Sequence, residues 1–400
     1  MNAIKESIQK DILIVGGGIG GLTLAADLEK RGVSYALFES SHEIDKNGGG
    51  GLKLWPNALR AFREVGAFEA LVERGSVIKS GIVKTDTGED LARIPLGLIG
   101  EKINYPVLSL PRSEILFALR EKTSDNNIHY NRKVVKVEAL EDRVEIEFSD
   151  GTNAMGKVLI GADGARSQIR KKLFPERELV YAGRISWRGL LSVEKGQAPC
   201  PDEENWEYFG RGKRFGYAHM GPGKMGWYAP INNDETFAPE DVKKYLLSEF
   251  KNWPTDVQEL IQKTNPDQII RSPIRYRQFD EAWGKGRVTL LGDAAHAMTP
   301  DLAQGACMAI EDGAVLGDCL QRKGATQDAL REYEKLRIPR VRNVANKSMQ
   351  IGKMSNKSGA LAFWATKKMW KWMPAKVAIK PIEKIVRYDF RADKTFSIKE

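Results

Sequence analysis

The stretch DILIVGGGIGGLTLAADLEKRGVSYALFES, residues 11–40, constrains the fold of this chain more than any other. Its apolar run Ile12–Val15 predicts a parallel strand buried on both faces. Gly16, Gly18 and Gly21 follow, then a helical stretch, Leu22–Lys30, ended by Arg31-Gly32. A second strand, Tyr35–Phe38, delivers Glu39. Each residue type answers a physical demand. Gly16 permits the tight turn, Gly18 lets a pyrophosphate approach the backbone, and Gly21 lets helix and strand pack closely. The helix N-terminus around Ile19, Gly20 and Gly21 turns its N–H groups and positive dipole end towards that negative charge. Glu39, 18 residues beyond Gly21, can accept both ribose hydroxyls of a dinucleotide. A carboxylate there repels a 2′-phosphate, which disfavours NADP at this fold and leaves FAD and NAD open.

Two later stretches repeat the strand-to-turn design. KVLIGADGARSQIRKKLF has a strand, Val158–Ile160, a turn holding Asp163-Gly164, and a basic helix with Arg166 and Arg170. RVTLLGDAAHAMTP has a strand, Val288–Leu291, ending in Gly292-Asp293. Strands that end in a small residue and an acid can converge at the carboxyl edge of one sheet, where α/β folds bind ligands. A further glycine cluster, Gly48–Gly51, precedes the helical stretch of LWPNALRAF. It either passes under a flat ligand, with Gly51 and Leu52 in contact, or forms a plain loop.

Composition narrows the function classes. A chain of 400 residues supports two or three domains, and 42% hydrophobic with 29% charged residues is ordinary for a soluble protein. Cys200, Cys307 and Cys319 are odd in number and form no CxxC pair, which fits a reducing compartment without a thiolate metal site. The four histidines are too scattered for a zinc cluster, so no metal is expected. MNAIKESIQK is unlike a signal peptide, and no run of about 18 apolar residues follows, so the expected location is cytoplasmic. The net charge of +9 resides in the tail. Residues 347–400 hold 13 Lys+Arg against 4 Asp+Glu, so the remaining body is neutral and argues against a nucleic-acid partner.

With GxGxxG at 16–21, a DG motif at Asp163-Gly164 and a GD motif at Gly292-Asp293, the sequence resembles the class A flavoprotein monooxygenases. This family includes p-hydroxybenzoate, salicylate and urate hydroxylases and zeaxanthin epoxidase. The resemblance is closest to the salicylate and urate hydroxylase-like branch, through LWPNALRAF, GADGARSQIR and GDAAHAMTPDLAQGACMAIEDG. It implies an α/β fold: a Rossmann-like FAD-binding domain of the GR2 type, an inserted, mostly antiparallel β-sheet substrate domain, and a C-terminal helical segment. The expected divisions are 1–75, 101–178 and 272–335 for FAD, 76–100 and 179–271 for substrate, and 336–400 for the tail.

The resemblance also assigns residues. Glu39 would bind the FAD ribose, Asp293 the ribityl–pyrophosphate region, Arg112 the flavin chain, and the backbone around Val135 the adenine. Asp163 would serve the fold around FAD and NAD(P)H use, or simply tie down its own turn. The family shows Pro-x-x-Gly-Gln-Gly where this chain has Pro300-Asp301-Leu302-Ala303-Gln304-Gly305, so Ala303 stands in place of a glycine. A helix starting near Gly305–Ala306 would turn its N-terminus to the flavin and stabilise negative charge on the reduced ring. His296, Glu311 and Asp312 read as structural.

Between Tyr181 and Ile231 aromatic and polar residues alternate between glycine turns, the pattern of an antiparallel sheet, with Val77–Ile94 as a further part. Trp187, Tyr217, Trp227 and Tyr228 are candidates for the pocket wall. Arg214 aligns with a basic position near the flavin, where it binds a substrate anion or oxygen; the alternative is a solvated hairpin arginine. Arg214, Tyr217 and Pro300 are the candidate catalytic residues. The Trp- and Lys-rich tail either packs on protein or lies on a membrane surface as a peripheral contact.

By resemblance, FAD resides in the single legible dinucleotide fold and NAD(P)H docks transiently as co-substrate. Reduced flavin and O2 form a C4a-hydroperoxide that hydroxylates a small aromatic or lipophilic substrate. The alternatives are an FAD-dependent epoxidase or reductase of an unsaturated lipophilic molecule, and a membrane-associated flavin-binding protein.

Overall fold

Five short parallel strands carry the motif turns. They run in the order Val288–Leu290, Val158–Gly161, Ile12–Val15, Tyr35–Phe38 and Ile128–His129 across one sheet. The computed structural model of the chain describes residues 7–43, 50–194, 196–278 and 281–392. Gly48 and Gly49 of the glycine cluster lie outside the described residues. Ile12–Val15 is buried at every position between two parallel neighbours, as a strand covered on both faces requires. The adjoining helix spans Ile19–Lys30, three residues earlier than periodicity predicts, because Gly18 serves as its N-cap.

Behind this sheet the helix Gly305–Lys323 lies against Ile19–Lys30. Glycine sets the distance between them: a Cβ on Gly313 would come within 2.9 Å of the Leu24 amide nitrogen. Arg166 precedes the basic helix, which covers only Gln168–Leu173 and retains Arg170. The expected boundary at 336 falls inside one continuous helix, Gln327–Ser355, which begins with the Thr326 hydroxyl capping the Ala329 amide.

The second layer is a seven-stranded sheet: Ile270–Tyr276, Val180–Ser192, Lys224–Asn232, Lys213–His219, Glu204–Gly210, Ser80–Thr85 and Asp90–Ile94. All neighbours are antiparallel except Glu204–Gly210 and Ser80–Thr85, which run parallel. Strand alternation gives it two faces. Ile185, Trp187, Phe215, Tyr217 and Trp227 face the helices Val242–Glu249 and Thr255–Lys263 and build an apolar core with them. Arg184, Arg188, Arg214 and Tyr228 occupy the alternate positions.

The helices Gly305–Lys323 and Gln327–Ser355 are joined by buried charge. Arg337 has no side-chain exposure; its Nη1 donates to Glu311 Oε2 at 2.6 Å and its Nε to Asp312 Oδ1 at 2.7 Å. Arg340 and Asn57 also donate to Glu311, at 3.0 and 2.6 Å. His296 and the Gly292 amide contact the second oxygen of Asp312. Burial opposes ionisation of both carboxyls, yet the Arg337 and Arg340 charges on Glu311, and His296 and Arg337 on Asp312, hold them below the usual range. Replacing Arg337 with Leu removes the one cation that both buried carboxylates share and should cost about 3–5 kcal/mol of stability, read from urea denaturation. Because both folded values are depressed, the wild-type contribution is complete above the ordinary carboxylate range and fades as pH falls towards the folded values. R337L should therefore lose its deficit in acid, and a deficit constant down to pH 3 would contradict this account.

Candidate active site

The carboxyl ends of the parallel strands meet at one point. Gly16 has φ +112°, and a Cβ there would strike the Ala162 carbonyl and the Asp163 amide of the neighbouring turn. Next to it, Gly17 N–H donates to Glu39 Oε2 at 2.7 Å, while the Ser41 amide and Ser40 hydroxyl donate to Oε1 at 2.8 and 3.0 Å. Burial works against the Glu39 charge, but these donors hold the carboxyl below its usual range. Glu39 is thus an ionised acceptor at the end of its strand, beside the fingerprint turn.

Arg112 opens the helix Arg112–Arg120 and reaches the same turn: a Cβ on Gly18 would lie 3.8 Å from its Nη2. Among the described residues its Nε is buried without a hydrogen-bond partner. Its own amide donates to the Gly50 carbonyl at 3.0 Å, which sets Gly51 and Leu52 beside it. The uncapped N-terminus at Ile19, an open approach over Gly18 and an unpartnered buried guanidinium nitrogen together suit a pyrophosphate. Val135 lies at an irregularity of its strand, between Val134, which pairs Phe148, and Lys136, which pairs Glu147. Val135 therefore has no register partner on the neighbouring strand.

Asp163 caps its own helix. Its Oδ2 accepts from the Gln168 and Ile169 amides at 2.7 and 3.2 Å, and burial nonetheless pushes its carboxyl above the ordinary value. Asp293 is exposed at the start of the short helix Asp293–His296. Pro300, also exposed, begins a 3-10 turn, Pro300–Leu302, that leads into the helix at Gly305, where Ala306 is half-buried. Ala303 takes the left-handed conformation itself, φ +50° and ψ +39°, so the backbone keeps the shape that a glycine normally supplies.

Over this turn stands the polar face of the seven-stranded sheet. Asp301 has a fully buried side chain, and two arginines of the sheet grip it: Arg184 through Nη2, and Arg214 Nη2 at 2.7 Å from Oδ1. The Nη1 of Arg214 donates to Glu207 Oε1 at 3.1 Å. Burial opposes the Arg214 charge, and Glu207 and Asp301 more than offset it, so it stays protonated. The solvated-hairpin alternative for Arg214 is therefore corrected. Tyr228 is half-buried beside Glu207, and desolvation and that carboxylate push its phenol well above its usual value, which keeps it a proton donor. Lys53, from the strand Gly51–Leu54, donates to Asn205 at 2.7 Å, and burial lowers its ammonium.

Strand parity also corrects the candidate pocket wall. Tyr217 points to the far side of the sheet, where its hydroxyl contacts Asp256 and its ring packs among Trp206, Tyr208 and Phe215. Trp187 and Trp227 share that core, and Trp227 donates to Thr264 at 2.8 Å. Of the four aromatics only Tyr228 faces Arg214. Asp301, Glu207, Arg184 and Lys53 were missed, although the alternation of Asn205 and Glu207 with Trp206 and Tyr208 marks one polar face.

Known proteins resemble this chain along most of its length. A family model described as an FAD binding domain matches residues 9–348. An aurachin C monooxygenase/isomerase of Stigmatella aurantiaca is 33% identical over 90% of this chain and 94% of its own length. An FAD-dependent urate hydroxylase of Klebsiella oxytoca is 32% identical over 84% of this chain and 88% of its own. A crystal structure from Klebsiella pneumoniae, complexed with FAD and uric acid, superposes with a TM-score of 0.88 at 25% identity, covering 95% of this chain and 96% of that one.

Ala303 carries a testable cost. A left-handed conformation costs a non-glycine residue about 1–2 kcal/mol, of which glycine's greater unfolded-state freedom cancels roughly half. Ala303→Gly should accordingly raise stability by about 0.5–1 kcal/mol in urea denaturation. A loss of stability would show that the turn is not held as described.

Proposed function

We propose that this chain, which belongs to the FAD-binding-domain family and with it to the class A flavin-dependent monooxygenases, hydroxylates a small aromatic or heteroaromatic molecule with NAD(P)H and O2. One observation carries the substrate side of this reading. Arg214 is a buried, fully charged donor fixed between Asp301 and Glu207, and it stands on the polar sheet face above the Pro300–Gly305 turn. Together with the Tyr228 phenol it offers rigid donors, and Glu207 an acceptor, to a planar ring bearing oxygen and N–H or O–H groups.

The residues present fit FAD. Glu39 would hold the ribose hydroxyls, the N-terminus at Ile19–Gly21 and Arg112 would meet the pyrophosphate, and the backbone at Val135 would take the adenine, with Asp293 at the ribityl chain. The N-terminus at Gly305 and Ala306 would stabilise negative charge on the flavin through its N–H groups and positive dipole end. Bound FAD supplies the redox chemistry: it accepts a hydride from NAD(P)H and activates O2.

The protein contributes position, charge and dryness. Asp301 acts as a positioning residue, because its carboxylate sets the plane of the Arg214 guanidinium. Arg214 binds the ring oxygen of the substrate and stabilises the negative charge that grows there as the ring is attacked. Tyr228 donates to the same edge, and Glu207 accepts from a ring N–H or O–H. Arg214, buried on that face, and the fully buried Asp301 side chain are kept from bulk water.

A screen of phenols, purines and quinolones should find a compound that accelerates NAD(P)H consumption, with one atom of ¹⁸O from ¹⁸O2 in the product. Label arriving from water instead would contradict the reading. Arg214→Gln should lower kcat/KM roughly 10²-fold while FAD content is retained. Tyr217→Phe should change kcat/KM less than about threefold, since its hydroxyl faces Asp256 across the sheet.

A further inference from the structure

The helix Ala360–Trp372 has two apolar faces, and among the described residues protein covers only one of them. Phe363 and Trp370, two turns apart, pack against Val83, Leu91 and Phe209 of the seven-stranded sheet. Lys367 and Lys371 flank that contact and pair with Glu89 at 2.5 and 2.9 Å. The opposite side carries Leu361, Trp364, Lys368 and Trp372, a helical stripe at spacings of three, four and four residues. Leu361, Trp364 and Trp372 are 79, 57 and 77% exposed. Met354 just before this helix and Val377 just after it are also exposed.

Charge says what this face meets. Lys368 sits 5.8 Å from the Trp364 ring, and Lys353, Lys357, Lys376 and Lys380 are all exposed in the flanking segments. Residues 347–400 hold 13 Lys+Arg against 4 Asp+Glu on an otherwise neutral chain. Exposed tryptophans with a fringe of lysines match a layer that is apolar within and anionic at its surface. Among the described residues no helix is long and apolar enough to cross a membrane, so the contact is one of lying on the surface.

We infer that this face docks the protein on an anionic lipid membrane, with the helix Ala360–Trp372 in the plane of the interface. The chain leading into the docked helix borders the candidate active site. Arg184, which grips Asp301, donates to the Gly352 carbonyl at 3.1 Å, and Asn232 donates to the Asn356 carbonyl at 2.9 Å. Docking therefore holds the Asp301–Arg214 region close to the bilayer and favours a substrate dissolved in it. That last step rests on the monooxygenase reading, whereas the lipid contact does not.

The test uses the full chain, flotation, and vesicles of phosphatidylglycerol and phosphatidylcholine against pure phosphatidylcholine. The wild type should float with the anionic vesicles at low salt, shift its tryptophan emission to the blue, and release in 0.5 M salt, roughly where the Debye length falls below 5 Å. The double variant Trp364→Gln/Trp372→Gln should lose affinity about tenfold or more. Its FAD content and its activity on a water-soluble substrate should stay at wild-type level, which separates lipid docking from the oxygenation chemistry. Absence of flotation at low salt would overturn the proposal, as would equal flotation of the variant. So would a wild-type dimer that the variant dissociates and that ignores vesicles.

Discussion

A single guanidinium, that of Arg337, holds the frame on which the candidate site is built. It pairs with both Glu311 and Asp312, which follow one another on the helix that starts at Gly305. Asp312 reaches onward to the Gly292 amide and to His296, so the same charge cluster fixes the turn that presents Asp293. Glu311 reaches Asn57, whose amide nitrogen also contacts Gln304, the residue that precedes the helix. Turn, helix start and long C-terminal helix are thereby one mechanical unit. Buried charge of this kind gives little net stability over apolar packing, but its geometry is unforgiving. That property suits a frame whose task is to aim a helix N-terminus.

Asp301 couples this frame to the second layer. It lies in the turn between Pro300 and Gly305, and its partners Arg184 and Arg214 lie on different strands of the sheet. The two arginines fix how the polar sheet face sits relative to the turn. Because Arg214 is also tied to Glu207, its donors are set in advance rather than recruited when a ligand arrives. The large apolar core behind the sheet serves the same end, since it leaves each strand one register in which arginine can face the turn.

Legibility in the sequence follows the range of the interactions. The fingerprint turn, the strands Ile12–Val15 and Tyr35–Phe38 and the helix start at Gly305 are local events, and local patterns of glycine and apolar residues specify them. Ala303 was visible as a departure from a glycine pattern, but its left-handed backbone was visible only in three dimensions. Tyr217 and Tyr228 look alike in sequence. Which parity of a strand faces the site depends on where the helices Val242–Glu249 and Thr255–Lys263 pack, a decision made far along the chain. Asp301 finds its arginines 87 and 117 residues away, so its role left no local mark. The boundary expected at 336 falls inside helix Gln327–Ser355 for a related reason: that helix belongs to the frame at Arg337 and to the site border at Gly352 alike.

Everything proposed for the molecule depends on one physical claim, that the glycine turn, Glu39, Arg112 and the Gly305 helix end form a single resident site for FAD. Quantifying the nucleotide released when the purified protein is denatured tests that claim most directly. The expected result is about one FAD per chain, either as isolated or after reconstitution with FAD. Release of NAD, or a colourless protein that takes up no FAD, would contradict it.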